Sequence, residues 1–216
     1  RLNGKPVISL AILKKAGENL INASDKVMEI KNEFLKSLPK GVVIDVTGDQ
    51  SDITRTNLTD LINSIIIGFI LVTVILMFFM GVQNALFVGL ATPLSAFLSF
   101  LLMPTLDITF NLVVTFAFLL ALGIIVDDAI VVIENMHRLH KEEGLDINLS
   151  AKVAAKEVFA PVVAGTLTTL APFFPLLFWP GIVGEFMVYL PAVLIMSLTA
   201  SLIVAYIINP VFAVQF

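Results

Sequence analysis

The run LVVTFAFLLALGIIV at residues 112–126 is followed by Asp127 and Asp128, and then by AIVVI at residues 129–133. Its reading decides the fold. A helix over residues 110–135 rises about 1.5 Å per residue and is long enough to cross a hydrocarbon core of about 30 Å. The two acids then lie at membrane depth. An ionised Asp near the centre of a span costs about 2.5–3.5 kcal/mol on insertion scales, so two in a row call for a use.

Working outward, the whole chain has the composition of a membrane protein. It is 58% hydrophobic and only 14% charged. The net charge is −4, and no basic run suggests nucleic acid. Cysteine is absent, which excludes disulfides and thiolate metal sites. Apolar stretches predict five spans, at about residues 61–80, 84–103, 110–135, 158–179 and 187–209. The first should begin as a helix near Ile53, after a turn and cap at residues 49–52. Residues 104–109 and 180–186 read as short loops, and Pro210 falls just past the last span. Pro161, Pro172 and Pro175 lie in the fourth span, where Thr166, Thr168 and Thr169 could satisfy freed carbonyls.

Residues 1–50 read differently. Residues 6–13 and 42–47 suit strands. Residues 19–38 suit a helix with Leu20, Ala23, Val27, Ile30, Phe34 and Leu38 on one face, stopped by Pro39-Lys40-Gly41. Strand, helix, strand is a βαβ unit, and two strands need more sheet from elsewhere. Nine of the thirteen Lys and Arg lie in residues 1–60; the other four lie in the polar connection 137–157. The positive-inside rule puts that connection in the cytoplasm and residues 1–60 on the far side, since large domains cross regardless of charge. The chain is therefore read as part of a longer protein with at least one span before Arg1.

Asp127 and Asp128 point about 100° apart around the helix. Like charges this close resist joint ionisation, and such a pair can take up and release a proton. The bland alternative is protonated polar glue between helices. Glu134, seven residues on, lies near the Asp127 face; it is either a proton exit group or an interfacial carboxylate. His137 and His140 could hold a metal or simply face solvent. No span carries Lys or Arg, so a cationic partner has to come from outside this sequence. An intramembrane aspartyl protease needs its two acids on different helices, and here both sit on one.

The stretch GIIVDDAIVVIEN, residues 123–135, resembles the fourth transmembrane helix of RND (resistance–nodulation–division) efflux transporters. Residues 145–156, the Pro-rich fourth span and Asn209-Pro210 are also similar. The resemblance implies a membrane α-helical bundle: helices two to six of a twelve-helix domain, at residues 51–216. Ahead of it, residues 1–50 would be the C-terminal part of an α+β periplasmic porter subdomain. It implies a proton/substrate antiporter of the inner membrane rather than an enzyme. No cofactor beyond the proton gradient is implied. Asp127 and Asp128 would be the relay carboxylates, with Glu134 and Asn135 as accessory groups and a Lys of the missing half as counter-ion. It implies a homotrimer working with a periplasmic adaptor and an outer-membrane channel. The heavy-metal branch tends to follow its first Asp with Ala, so Asp127-Asp128 resembles the hydrophobe and amphiphile branch. The alternative within the superfamily is a lipid exporter or a protein-translocation accessory.

Overall fold

The computed structural model describes residues 6–15, 18–39 and 41–215. It divides into two units, Arg1–Arg55 and Thr56–Phe216.

In the first unit the described residues form one complete helix, α1 (Leu20–Leu35). Asn19 caps it, its side chain accepting from the Asn22 N–H at 3.1 Å. The expected strands at residues 6–13 and 42–47 do not form: both segments lack regular structure. A strand exists only when its backbone groups pair with a neighbour, and neither segment finds one among the described residues. Residues 1–5 of the expected porter piece, and Lys40 of the helix stop, lie outside the described residues. The apolar stripe of α1 correspondingly stays uncovered, with Ile30 and Phe34 exposed. Asp49 ties the unit together. It accepts from the Ser51 N–H at 2.8 Å, which caps the start of α2 (Gln50–Met80), and from the Ser24 hydroxyl at 2.8 Å. Those two donors, the Ser51 N–H first, hold the Asp49 carboxyl below its ordinary value of 3.8.

The second unit is a helical bundle. Among the described residues five helical stretches are long and apolar enough to cross a membrane: Gln50–Met80, Val82–Leu106, Leu112–Lys141, Ile147–Phe178 and Gly181–Gln215. The chain is a multi-pass membrane protein. At the centre stands α4 (Leu112–Lys141), packed on α3 (Val82–Leu102), α5 (Ile147–Leu170) and α7 (Tyr189–Ile203). Three apolar layers hold it. Val114, Ala117 and Phe118 meet Leu61, Met103 and Val193 at one end, with Phe118 stacked on Phe100 at 4.6 Å between ring centroids. Ala121 and Ile125 meet Leu170, Leu194 and Leu198 in the middle. Val132, Ile133 and Met136 meet Val88, Ala154 and Val204 at the other end. The buried positions of α3 are mostly small, including Ala85, Gly89, Ala91, Ser95 and Ser99, which lets helix backbones approach closely.

Three junctions differ from expectation. Residues 180–186 are not a loop: directly after Pro180 a short helix forms, α6 (Gly181–Met187). The helix does not end at Asn209. A π-turn at Val204–Ile208 leads into α8 (Asn209–Gln215), and Pro210 sits in its first turn, where a missing N–H is tolerated. The Pro-rich end of the fourth span tightens into a 3-10 helix at Ala171–Phe178. Thr168 and Thr169 bond the carbonyls of Ala164 and Gly165, one turn back, and Thr166 bonds Val162. None of these is Glu157, whose carbonyl Pro161 leaves without its helical donor.

Candidate functional site

The centre of α4 changes from apolar to charged between two of its packed layers. Ile125 belongs to the middle layer and Val132 to the next, and Asp128 lies between them. Asp128 is 8% exposed, whereas its neighbour Asp127 is exposed on another side of α4. The hundred-degree step between adjacent residues thus divides the pair. One carboxylate faces the packed interior and the other faces away from it.

Two hydroxyls from two helices reach Asp128. Ser201 of α7 donates to Oδ2 at 2.9 Å, and Thr166 of α5 donates to Oδ1 at 3.3 Å. Each hydroxyl also has a carbonyl within reach: Ile125 O at 2.8 Å for Ser201 and Val162 O at 3.0 Å for Thr166. A hydroxyl has one proton, so each must choose between carboxylate and carbonyl. An ionised Asp128 draws both protons to itself. A protonated Asp128 can donate to one hydroxyl and release that hydroxyl's proton to its carbonyl. The protonation state of one side chain is thereby linked to hydrogen bonds on α5 and α7.

The remaining expected groups fall elsewhere. Glu134 is exposed and makes no hydrogen bond or ion pair among the described residues. Asn135 belongs to an interhelical clamp about 10 Å along the axis from Asp128. Its Nδ2 donates to Glu157 at 3.0 Å and to Ala154 O at 3.4 Å, while its Oδ1 accepts from Arg138 at 3.0 and 3.1 Å. Arg138 also pairs with Glu143 at 2.7 Å and Glu157 at 3.5 Å. The geometry makes Asn135 a tie between α4 and α5. Asp127 has neither hydrogen bond nor ion pair among the described residues, and neither Asp meets a cation there. No cluster of three or more His, Asp or Glu that could hold a metal occurs among the described residues.

Ser201 is the residue that sequence reasoning missed. Its only signal was position: it lies four residues after Ser197 and eight before Asn209, a polar face on an apolar span.

Across residues 1–216 the chain matches the AcrB/AcrD/AcrF family. It belongs to that family, whose members are RND transporters. Membership of that family agrees with the multi-pass bundle described above. A relative in Bacillus subtilis (strain 168), described as swarming motility protein SwrC, is 32% identical over 216 residues, covering 99% of this chain. The chain spans 20% of that relative's length.

Proposed function

We propose that the protein to which this chain belongs exports hydrophobic or amphiphilic compounds by proton antiport, with Asp127 and Asp128 as its relay carboxylates. The observation that carries this reading is the buried Asp128 with hydroxyl donors from two different helices. A proton arriving there changes which atoms Ser201 and Thr166 bond, and so changes the ties between α4 and its neighbours. Glue alone needs no second acid beside it, and Asp127 makes no hydrogen bond or ion pair among the described residues. Exposed on its own side of α4, it is open to a cation from another part of the protein. In this reading the protein is an inner-membrane homotrimer, residues 1–60 lie in the periplasm, and export continues through an adaptor and an outer-membrane channel.

The test is efflux of dyes and detergents by the full-length protein in proteoliposomes, with a pH gradient imposed or collapsed. Asp128→Asn keeps the shape of the side chain but carries no titratable proton. Gradient-driven efflux should fall to background in Asp128→Asn and in Asp127→Asn, with expression and assembly retained. Full efflux by both variants would sink the reading. Gradient-driven movement of lipid, with no dye or detergent exported, would turn it to the lipid-exporting alternative.

A further inference from the structure

A second polar feature lies at the C-terminal end of α4. A cavity of about 530 Å³ opens between the start of α3, the end of α4 and α8. Its polar lining is Gln83 and Asn84 from α3 and His137, His140 and Lys141 from α4. No lining residue is acidic, although the chain carries 17 acids against 13 Lys and Arg. Apolar side chains complete the wall, among them Met80, Val82, Ile147 and Val214.

Hydrogen bonds fix how the lining presents itself. Asn84 Nδ2 donates to Met80 O at 3.3 Å and lies 3.1 Å from His137 Nδ1. The amide nitrogen has only donors, so Nδ1 accepts and the ring proton of neutral His137 sits on Nε2. His140 donates from Nδ1 to Leu145 O at 2.8 Å, which holds its ring against the α4–α5 connection. The 21-residue α3 starts at this cavity, and Gly81 before it offers no side-chain cap. The positive end of the α3 dipole therefore adds to the basic groups. Basic residues at the end of α4 also complement the α4 dipole, and that could be their whole role. It would not explain why an uncapped helix start and three basic side chains share one acid-free cavity.

We infer that this cavity binds the phosphate of an anionic phospholipid. Lysine, an imidazole N–H and a helix start are all phosphate donors, and the volume falls in the range of small-ligand sites. The apolar wall favours a lipid over free phosphate, because acyl chains can leave along it. Basic pockets between transmembrane helices at the cytoplasmic surface hold such head groups.

The probes are phosphatidylglycerol, phosphatidylcholine and inorganic phosphate, each added to the detergent-purified full-length protein and scored by native mass spectrometry. Phosphatidylglycerol should be retained over phosphatidylcholine, and phosphate should displace it only at large excess. Lys141 is exposed, so Lys141→Gln leaves packing alone. It should weaken phosphatidylglycerol retention roughly fivefold, and Lys141→Arg should restore it. His137→Gln, at the half-buried wall, is the second variant and should weaken retention too. Lys152→Gln, which removes a basic residue outside the cavity, should change nothing. Equal retention of the two lipids, or unchanged retention in both Lys141→Gln and His137→Gln, would overturn the site. Phosphate bound as tightly as the lipid would overturn the lipid assignment.

Discussion

Ser201 has one proton and two acceptors, the carboxylate of Asp128 and the carbonyl of Ile125. Interhelical hydrogen bonds in bilayers average about 0.6 kcal/mol and reach about 1.7, so the bundle tolerates losing this one. Transport is the more sensitive quantity, because a hydrogen bond to an ionised group is worth about 1.5–3 kcal/mol. Ser201→Ala should keep expression and thermal stability near wild type and slow gradient-driven efflux by roughly tenfold. Efflux kinetics beside a melting curve in detergent check this, and an unchanged rate would remove Ser201 from the relay. The two acids were legible in the sequence because a charge inside an apolar run has few uses. Ser201 was not. Serine in a membrane helix commonly bonds the carbonyl one turn back, and only the packing of α7 on α4 shows that this one reaches Asp128. The same holds for Thr166, which the sequence assigned to Pro-freed carbonyls.

At the scale of the element, the spans were legible from length and apolarity, and their junctions were not. The expectation of a loop at residues 180–186 followed from Pro180 and Gly181, yet α6 forms there, closed tightly on what precedes it. A Cβ at Gly184 would overlap the Trp179 carbonyl oxygen, which is backbone and cannot turn aside. Gly184→Ala should therefore cost about 1–3 kcal/mol and loosen the connection. Gly165→Ala is the control: a Cβ there meets nothing within 4 Å, and alanine favours a helix by up to about 1 kcal/mol. Thermal unfolding in detergent should move the two variants in opposite directions. The start of α2 depends on Asp49, whose folded value lies below 3.8. A depressed carboxylate contributes stability that is complete above its unfolded value and lost as pH falls through the folded one. Protection of the Ser51 amide hydrogen, its exchange rate set against the intrinsic rate at the same pH, should hold down to about pH 4 and fall below it. Protection lost already near neutral pH would contradict the cap. The strands at residues 6–13 and 42–47 were misread for a different reason. Alternating apolar residues state a preference, and a preference becomes a strand only with a partner.

For the whole molecule, the open question is which way the bundle faces. Four of its basic residues, Arg138, Lys141, Lys152 and Lys156, sit at the α4–α5 connection, and that end should be cytoplasmic. The structure adds weight, because of these four only Arg138 forms an ion pair among the described residues. The other spans alternate from that point, so α1 should lie on the opposite side. This chain contains no cysteine, so a thiol introduced into it adds the only one it contributes, and the unsubstituted full-length protein is the labelling control. Asn148 in the connection and Asn32 on α1 are both exposed, and their side chains make no hydrogen bond among the described residues. In intact cells a membrane-impermeant maleimide should label Asn32→Cys and spare Asn148→Cys until the membrane is broken. The reverse pattern would invert the topology. It would also put the basic cavity at the outer surface, away from the strongly anionic cytoplasmic leaflet, and so weaken the lipid assignment while leaving the Asp128 hydrogen bonds as they are. The proposed relay and the proposed lipid site are thus separable: the first depends on packing within α4, α5 and α7, the second on which membrane face the end of α4 meets.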